Sequence, residues 1–358
     1  MLLAQQLNLY ILKGEIIMKK IKIAIVFGGQ STEHEVSRNS VTSILKNINR
    51  DKYEICPIGI TKEGKWFQYT GDINNIKNGQ WEKDNKNKLE NGYNVLFNKE
   101  VELVFPVLHG LYGEDGTIQG LCKLVGLPCV GPGVLSSALC MDKIYTKYVL
   151  ENFKFKQANY VVVNKFEYEK NKEEIIKEVE KLQYDVFIKP ANSGSSVGIT
   201  KAHNKEELLK GLEEAFIHDK NVLVEEAINA REIEVAVLGN DDPKAAVPGE
   251  IIPAKEFYDY EAKYQNENSE LLIPANIDNI KQEEIKELAI KIYKLLGCSG
   301  LARVDFLMDK ESNEVYFNEV NTLPGFTKIS MYPKLWEASG KSYSALIDEL
   351  IELAINNK

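Results

Sequence analysis

Leu301-Ala-Arg303-Val-Asp305-Phe-Leu307 and Glu314-Val-Tyr-Phe-Asn-Glu319-Val-Asn321-Thr-Leu-Pro324-Gly325 decide the architecture of the C-terminal part of the chain. Both stretches read as strands, over 301–307 and 314–320. In a strand, residues two apart share a face, so Arg303 sits beside Asp305 and Glu319 beside Asn321. Leu301, Val304, Phe306 and Val320 make the strands half-buried, which argues against a merely solvated ion-pair face. Asp305, Glu319 and Asn321 offer hard oxygen ligands of the kind Mg²⁺ takes alongside phosphates. Arg303 can hold an anionic oxygen by charge-assisted bonds. The Pro324-Gly325 turn that follows either presents backbone N–H groups to an oxyanion or is a plain type II turn.

Working towards the N-terminus, 279–296 forms a long helix and Glu232–Leu238 a strand. Val186–Lys189 is a strand that delivers Lys189 into Pro-Ala-Asn-Ser-Gly194-Ser195-Ser196-Val-Gly198. Small residues allow backbone N–H groups close to phosphate oxygens, and the hydroxyls add donors. An ordinary hairpin loop is the alternative, and no G-x-x-x-x-G-K-[ST] P-loop occurs. Glu225 and Glu226 end a strand at 222–225; with Glu232 they either take ribose hydroxyls or an adenine amino group, or are surface charge. Helices are expected at 142–151, 171–182, 204–217 and 343–355.

The first third reads differently. Ile21–Phe27, the Gly28-Gly29 turn and a helical pattern through Val36, Ile44 and Leu45 open a βαβ unit. Strands follow at 55–60 and 103–107, and a short helix at 118–124. Residues 70–95, rich in Asn, Lys and Gly, read as an exposed irregular excursion. His109 lies at a strand's C-terminal end, where open α/β sheets gather ligands. Glu33 either binds an amine or complements a helix N-terminus.

The 358 residues carry a net charge of −9, which provides no global positive field for nucleic acid or anionic membranes. No apolar run approaches a membrane span, and residues 1–17 lack the features of a signal peptide. Five cysteines without a C-x-x-C pair point away from disulfides and structural zinc, and towards a reducing cytoplasm.

Together the motifs resemble the D-alanine–D-alanine ligases of the ATP-grasp superfamily. The match runs from about Lys20 to the C-terminus. It rests on GGQSTEHEVS (28–37), FPVLHG (105–110), GEDGTIQG (113–120), SSALCMDK (136–143), KPANSGSSVG (189–198), EFYDYEAKY (256–264), ARVDF (302–306) and FNEVNTLPGFTKIS (317–330), in that order.

The resemblance implies a mixed α/β and α+β, three-domain ATP-grasp architecture with an N-terminal open parallel-sheet domain. Its parts are an N-terminal domain (18–131), a central subdomain (132–226) and a C-terminal subdomain (227–358); residues 1–17 are an extension with no family counterpart. It implies that Lys143 and Lys189 contact ATP phosphates under the loop of Ser195 and Ser196, with Lys263 reaching the γ-phosphate. Glu225 and Glu232 would lie near adenine and ribose. Asp305, Glu319 and Asn321 would hold two Mg²⁺ ions, with Mn²⁺ able to substitute. Glu33 would bind the first D-alanine, near His109, and Ser330 the second carboxylate. Arg303 and the Gly325 backbone would stabilise the oxyanion, and Tyr264 would link Ser195 to Glu33. His109 and Tyr264 are the candidate bases for the second amine.

The implied activity is ATP-dependent joining of two D-alanines in the cytoplasm for peptidoglycan synthesis, by a homodimer. Lys328 stands where a small polar residue is more usual, beside the expected second-substrate pocket. The competing readings are a D-alanine–D-serine or D-lactate ligase, another ATP-grasp ligase, and a nucleotide-binding module without turnover.

Overall fold

The structure, a computed structural model, describes residues 9–12, 15–252 and 270–357. Lys263 and Tyr264 lie outside the described residues.

Three sheets organise the chain. In the first, Ile21–Gly28 is the central strand, pairing in parallel with Tyr53–Ile60 on one side and Leu103–Val107 on the other. Near-continuous apolar sequence suits these strands because both faces are covered. Residues 23–27 are wholly buried between His34–Asn47 on one side and Thr117–Val125 on the other.

The expectation of an irregular excursion at 70–95 needs correction. Trp66–Tyr69 and Lys88–Glu90 extend the sheet as antiparallel strands, and Ile73–Lys77, Gln80–Lys83 and Asn94–Phe97 are short helices. One residue, Trp81, explains the order. Fully buried, it meets Phe27, Phe67 and Tyr69 edge-on at centroid distances of 5.0, 6.4 and 6.2 Å. A single large anchor is invisible to a composition dominated by Asn, Lys and Gly.

The second sheet is antiparallel, in the order Thr200–Ala202, Val186–Pro190, Asn221–Glu226, Tyr160–Asn164. Its apolar face packs on Lys205–His218 and Lys172–Glu180. The helix expected over 171–182 is Lys172–Glu180, and a further short helix, Lys165–Lys170, capped by the Asn164 side chain, precedes it.

The third sheet, also antiparallel, orders Glu270–Leu272, Gly249–Ile252, Ala230–Leu238, Leu301–Asp309 and Val315–Asn321. Ile233, Val235, Val304 and Phe306 pack on the helix Asn279–Leu295 through Ile285, Ala289 and Ile292. That leaves the alternate residues of the same strands for the opposite face. Helices Val134–Met141 and Met331–Ala338, unassigned from sequence, close the surroundings. Residues 9–12 and 15–18 pair with each other in an antiparallel arrangement. Among the described residues no helix is long and apolar enough to cross a membrane.

Candidate active site

A cleft of about 1470 Å³ gathers residues from all three sheets. Its lining includes Glu33, His109, Lys143, Lys189, Ser195, Ser196, Glu225, Glu232, Arg303, Glu319, Asn321, Gly325 and Ser330. Asp305 adjoins it through Arg303 and Asn321.

The acidic strands form its floor. Asp305 pairs across the ladder with Glu319, and Arg303 with Asn321. The register shifts immediately afterwards, so Phe306 faces Phe317 and Asn318 is the extra residue of a bulge. The bulge satisfies two demands at once. Val315 and Phe317 reach the apolar core, as does Val320 beyond it, while Asn318, Glu319 and Asn321 line the cleft.

Arg303 is the hub of this floor. Its Nε and Nη2 donate to Asp305 Oδ1 and Oδ2 at 2.8 and 2.7 Å, and Nε lies 2.9 Å from Glu234 Oε2. Burial alone would lower its proton affinity, but Asp305 and Glu234 outweigh burial and raise it, so the guanidinium stays charged. Its Nη1 has no partner among the described residues, which leaves a donor for a substrate oxygen. Asn321 Nδ2 donates to Asp305 Oδ2 at 2.9 Å. Two carboxylates and an amide oxygen on adjoining strands fit Mg²⁺, which takes its remaining ligands from water and phosphate. Among the described residues no cluster of three His, Cys, Asp or Glu forms a self-sufficient metal cage.

The lysines come from the second sheet and its neighbouring helix. Asp142 caps Lys143–Asn152 by accepting from the backbone of Ile144 and Tyr145, which puts Lys143 at the helix start. Lys143 Nζ donates to the Ser193 carbonyl at 2.6 Å. Lys189 Nζ reaches Glu225 Oε2 at 2.5 Å and Asn318 Oδ1 at 3.4 Å. Burial would raise the Glu225 carboxyl, but Lys189 and Lys147 hold it down at about 2. Both carboxylate oxygens are therefore engaged with lysines at the wall of the cleft. Ser195, Ser196 and Gly198 all adopt left-handed backbone, at φ 47°, 60° and 71°.

The first sheet contributes the other wall. Glu33 is buried and accepts a very short hydrogen bond from the Ser195 hydroxyl, linking the first sheet to the small-residue loop. A Cβ on Gly110 or Gly194 would lie 2.5 or 2.6 Å from Glu33 Oε2, so a side chain at either position would have to displace the carboxylate, and Gly110 is in addition left-handed at φ 68°. His109 is buried, which lowers its proton affinity. Nδ1–H donates to the Leu323 carbonyl at 2.7 Å. The Ser40 hydroxyl lies 3.0 Å from Nε2 and accepts from the Phe326 N–H at 3.1 Å, so it donates to the ring. A neutral imidazole with both nitrogens engaged fits a positioning role better than that of a base.

Glu114, which carries no sequence expectation of its own, completes the grip. Its Oε2 accepts from the Leu323 N–H at 2.9 Å and its Oε1 from the Gly110 N–H at 3.1 Å. Burial and the neighbouring Glu33 push its carboxyl up to about 7. The Leu323 peptide, directly after the acidic strand, is thus held at both ends by the first sheet. Ser330 Oγ accepts from the Thr327 N–H at 3.0 Å. Lys328 is exposed, between Thr327 and Ile329 of the cleft lining. Ser40, Glu114, Lys147, Glu234 and Asn318 escaped the sequence reading; only Glu234 had a signal, its spacing of two from Glu232 on one strand.

Two antiparallel sheets facing each other across a lysine-lined cleft define the ATP-grasp fold. Family profiles for the D-ala D-ala ligase N-terminus and C-terminus match residues 22–132 and 149–352. Two proteins named D-alanine–D-alanine ligase, from Clostridium acetobutylicum and Clostridium novyi, are 71% and 69% identical, each over 94% of this chain and 98% of its own length. Among solved structures, the VanG D-Ala:D-Ser ligase of Enterococcus faecalis superimposes with a TM-score of 0.85 at 44% identity, covering 94% of this chain and all of its own. The D-alanine–D-alanine ligase of Coxiella burnetii gives 0.81 at 34%, covering 94% of each chain. The chain belongs to the D-alanine–D-alanine ligase family.

Proposed function

We propose that this protein joins two D-alanines at the expense of ATP, releasing ADP and phosphate. What carries the reading is the convergence, in one cleft, of Glu33, two lysines and the Arg303–Asp305–Glu319–Asn321 floor, within a chain 71% identical to a relative of that name.

The reaction has two steps. A carboxylate oxygen of the first D-alanine attacks the γ-phosphorus, and ADP leaves, giving an acylphosphate. The amine of the second D-alanine, having lost a proton, attacks the acyl carbon; the tetrahedral oxyanion collapses and phosphate leaves. Lys143 and Lys189 hold phosphate oxygens, covered by the loop of Ser195 and Ser196, and Glu232 holds the ribose. Glu33 holds the first ammonium group. Arg303 Nη1 and the Gly325 N–H hold the oxyanion, and Ser330 the second carboxylate. His109 fixes the Leu323–Gly325 turn. Asp305, Glu319 and Asn321 would hold two Mg²⁺ ions, whose charge neutralises the phosphates. Lys263 and Tyr264 serve the γ-phosphate and the Glu33–Ser195 link. Positioning of this kind supplies roughly 7–11 kcal/mol of the barrier.

The reading includes three domains at 18–131, 132–226 and 227–358, a cytoplasmic site of action and a homodimer. The D-serine alternative is less well supported, because its representative is 44% identical against 71% and 69% for the D-alanine ligases. The test is Mg²⁺-dependent ADP release with D-alanine alone, L-alanine alone, and D-alanine paired with D-serine or D-lactate. Strong release with D-alanine alone and none with L-alanine is expected. Release only in the paired reactions would move the protein to the D-serine or D-lactate ligases.

A further inference from the structure

Lys147 is a buried cation that the reaction above does not use. It lies one turn along the helix from Lys143, its side chain 2% exposed, and it is not part of the cleft lining. Its Nζ meets Glu225 Oε1 at 2.5 Å and the Ala158 carbonyl at 3.3 Å, and stands 4.9 Å from the centre of the Tyr160 ring. On the other side of the same carboxylate, Lys189 Nζ meets Oε2 at 2.5 Å. Lys189 and Glu225 share a face of the second sheet, since Lys189 pairs with Leu223 and Glu225 with Phe187. One carboxylate thus carries two lysines, one facing the cleft and one behind it, for a net charge of +1.

A single lysine would satisfy Glu225. The second has a consequence for the first. If Lys189 alone balanced Glu225, its move to a phosphate oxygen would strip a buried carboxylate of its only counter-charge, which is strongly unfavourable. With Lys147 fixed behind, the carboxylate stays balanced when Lys189 turns to the phosphate.

The structure assigns Lys147 as a positioning residue that frees Lys189 for nucleotide phosphate by holding Glu225 from the far side. The assignment rests on the reading of the cleft as an ATP site. Removing the charge of Lys147 leaves Lys189 committed to Glu225, so ATP binding weakens. Removing the Glu225 charge as well restores a net +1 and makes Lys147 dispensable.

The test is calorimetric titration of Mg·ATP into the wild type, Lys147→Gln, Glu225→Gln and the double variant, with folding checked by circular dichroism. K147Q alone is expected to raise Kd for ATP by about 10- to 100-fold. In the E225Q background the same change is expected to alter Kd by less than about threefold. An unchanged Kd in K147Q would overturn the inference, as would an equal loss in both backgrounds, which marks a packing role. If K147Q does not fold, E225Q is compared with the double variant; a further loss of about tenfold or more there overturns the inference, and equal affinity supports it. Failure of the wild type to bind ATP would instead remove the ATP-site reading and the inference with it.

Discussion

Replacing Arg303 with alanine tests the floor of the cleft in two ways. The side chain makes two charge-assisted bonds to Asp305, at 2.8 and 2.7 Å, and a third contact to Glu234 at 2.9 Å. The side chains of Glu234 and Asp305 are each 8% exposed, so the substitution leaves two buried carboxylates facing each other. Removing one partner of a buried pair costs about 3–5 kcal/mol. Asp305 keeps its bond from Asn321, and either acid can take up a proton, so the lower end, about 3 kcal/mol, is expected. Turnover falls separately, by roughly 10²–10³, for loss of an oxyanion donor. Urea denaturation measures the first effect, and ADP release at saturating D-alanine and ATP the second. Adding Glu234→Gln to R303A should recover part of the stability, since the repulsion between the two neighbouring acids is relieved, and none of the turnover. Wild-type stability in R303A would show that the ion pairs contribute nothing to the fold. Recovery of turnover in the double variant would show that Arg303 acts only through the fold.

Three further outcomes follow from the geometry. The Glu114 carboxyl, raised from 4.5 to about 7, favours its neutral form in the folded protein. The stabilisation is full below about pH 4.5 and is lost as pH rises through 7. At 1.36 kcal/mol per tenfold in proton affinity the ceiling is about 3 kcal/mol, reduced by the residue's partial exposure. Glu114→Gln should flatten this slope, so its melting temperature relative to wild type should be higher at pH 8 than at pH 5; parallel curves would refute the assignment. Gly194→Ala places a Cβ 2.6 Å from Glu33 Oε2 and must displace the loop or the acid. A fall of about 10- to 100-fold in kcat/KM for D-alanine is expected without loss of fold, and normal kinetics would count against the Glu33 site. Trp81→Ala empties the aromatic cluster of the first sheet, with an expected loss of about 3–5 kcal/mol by denaturation and unchanged kcat in the folded fraction. A loss under about 1 kcal/mol would show that the 70–95 segment is ordered by something else.

Spacing made the acidic strands legible: an Arg-x-Asp and a Glu-x-Asn on alternating strands can share one face only if the strands pair, and they do. The small-residue loop after Lys189 and the glycine turn before Glu33 were legible for a similar reason, because short-range backbone demands leave their marks in residue type. Asn318 was not, since a bulge depends on how two strands share their cores and not on either strand alone. Glu114 and Ser40 were not, because each acts on Leu323 or Phe326 from more than 200 positions away. Lys147 reads as one more polar residue on a short helix, and only the fold reveals that it is buried.

These long-range contacts bear on how the site and the fold share their energetics. The first sheet holds the Leu323 peptide through Glu114 and His109, and the Phe326 N–H through Ser40. The second sheet is joined to the first through Ser195 and Glu33. It is joined to the third where Lys189 meets Asn318 on the acidic strand. Each of these bonds uses a residue that lines the cleft or directly supports one that does. In the middle of a sheet the packing is apolar and indifferent to small shifts in charge; at the cleft, the parts are held together by charged and polar pairs whose geometry also sets the chemistry. Substitutions that remove one charge of such a pair therefore change stability and turnover together. For these charged pairs a second change, such as Glu234→Gln beside R303A or E225Q beside K147Q, separates the two effects.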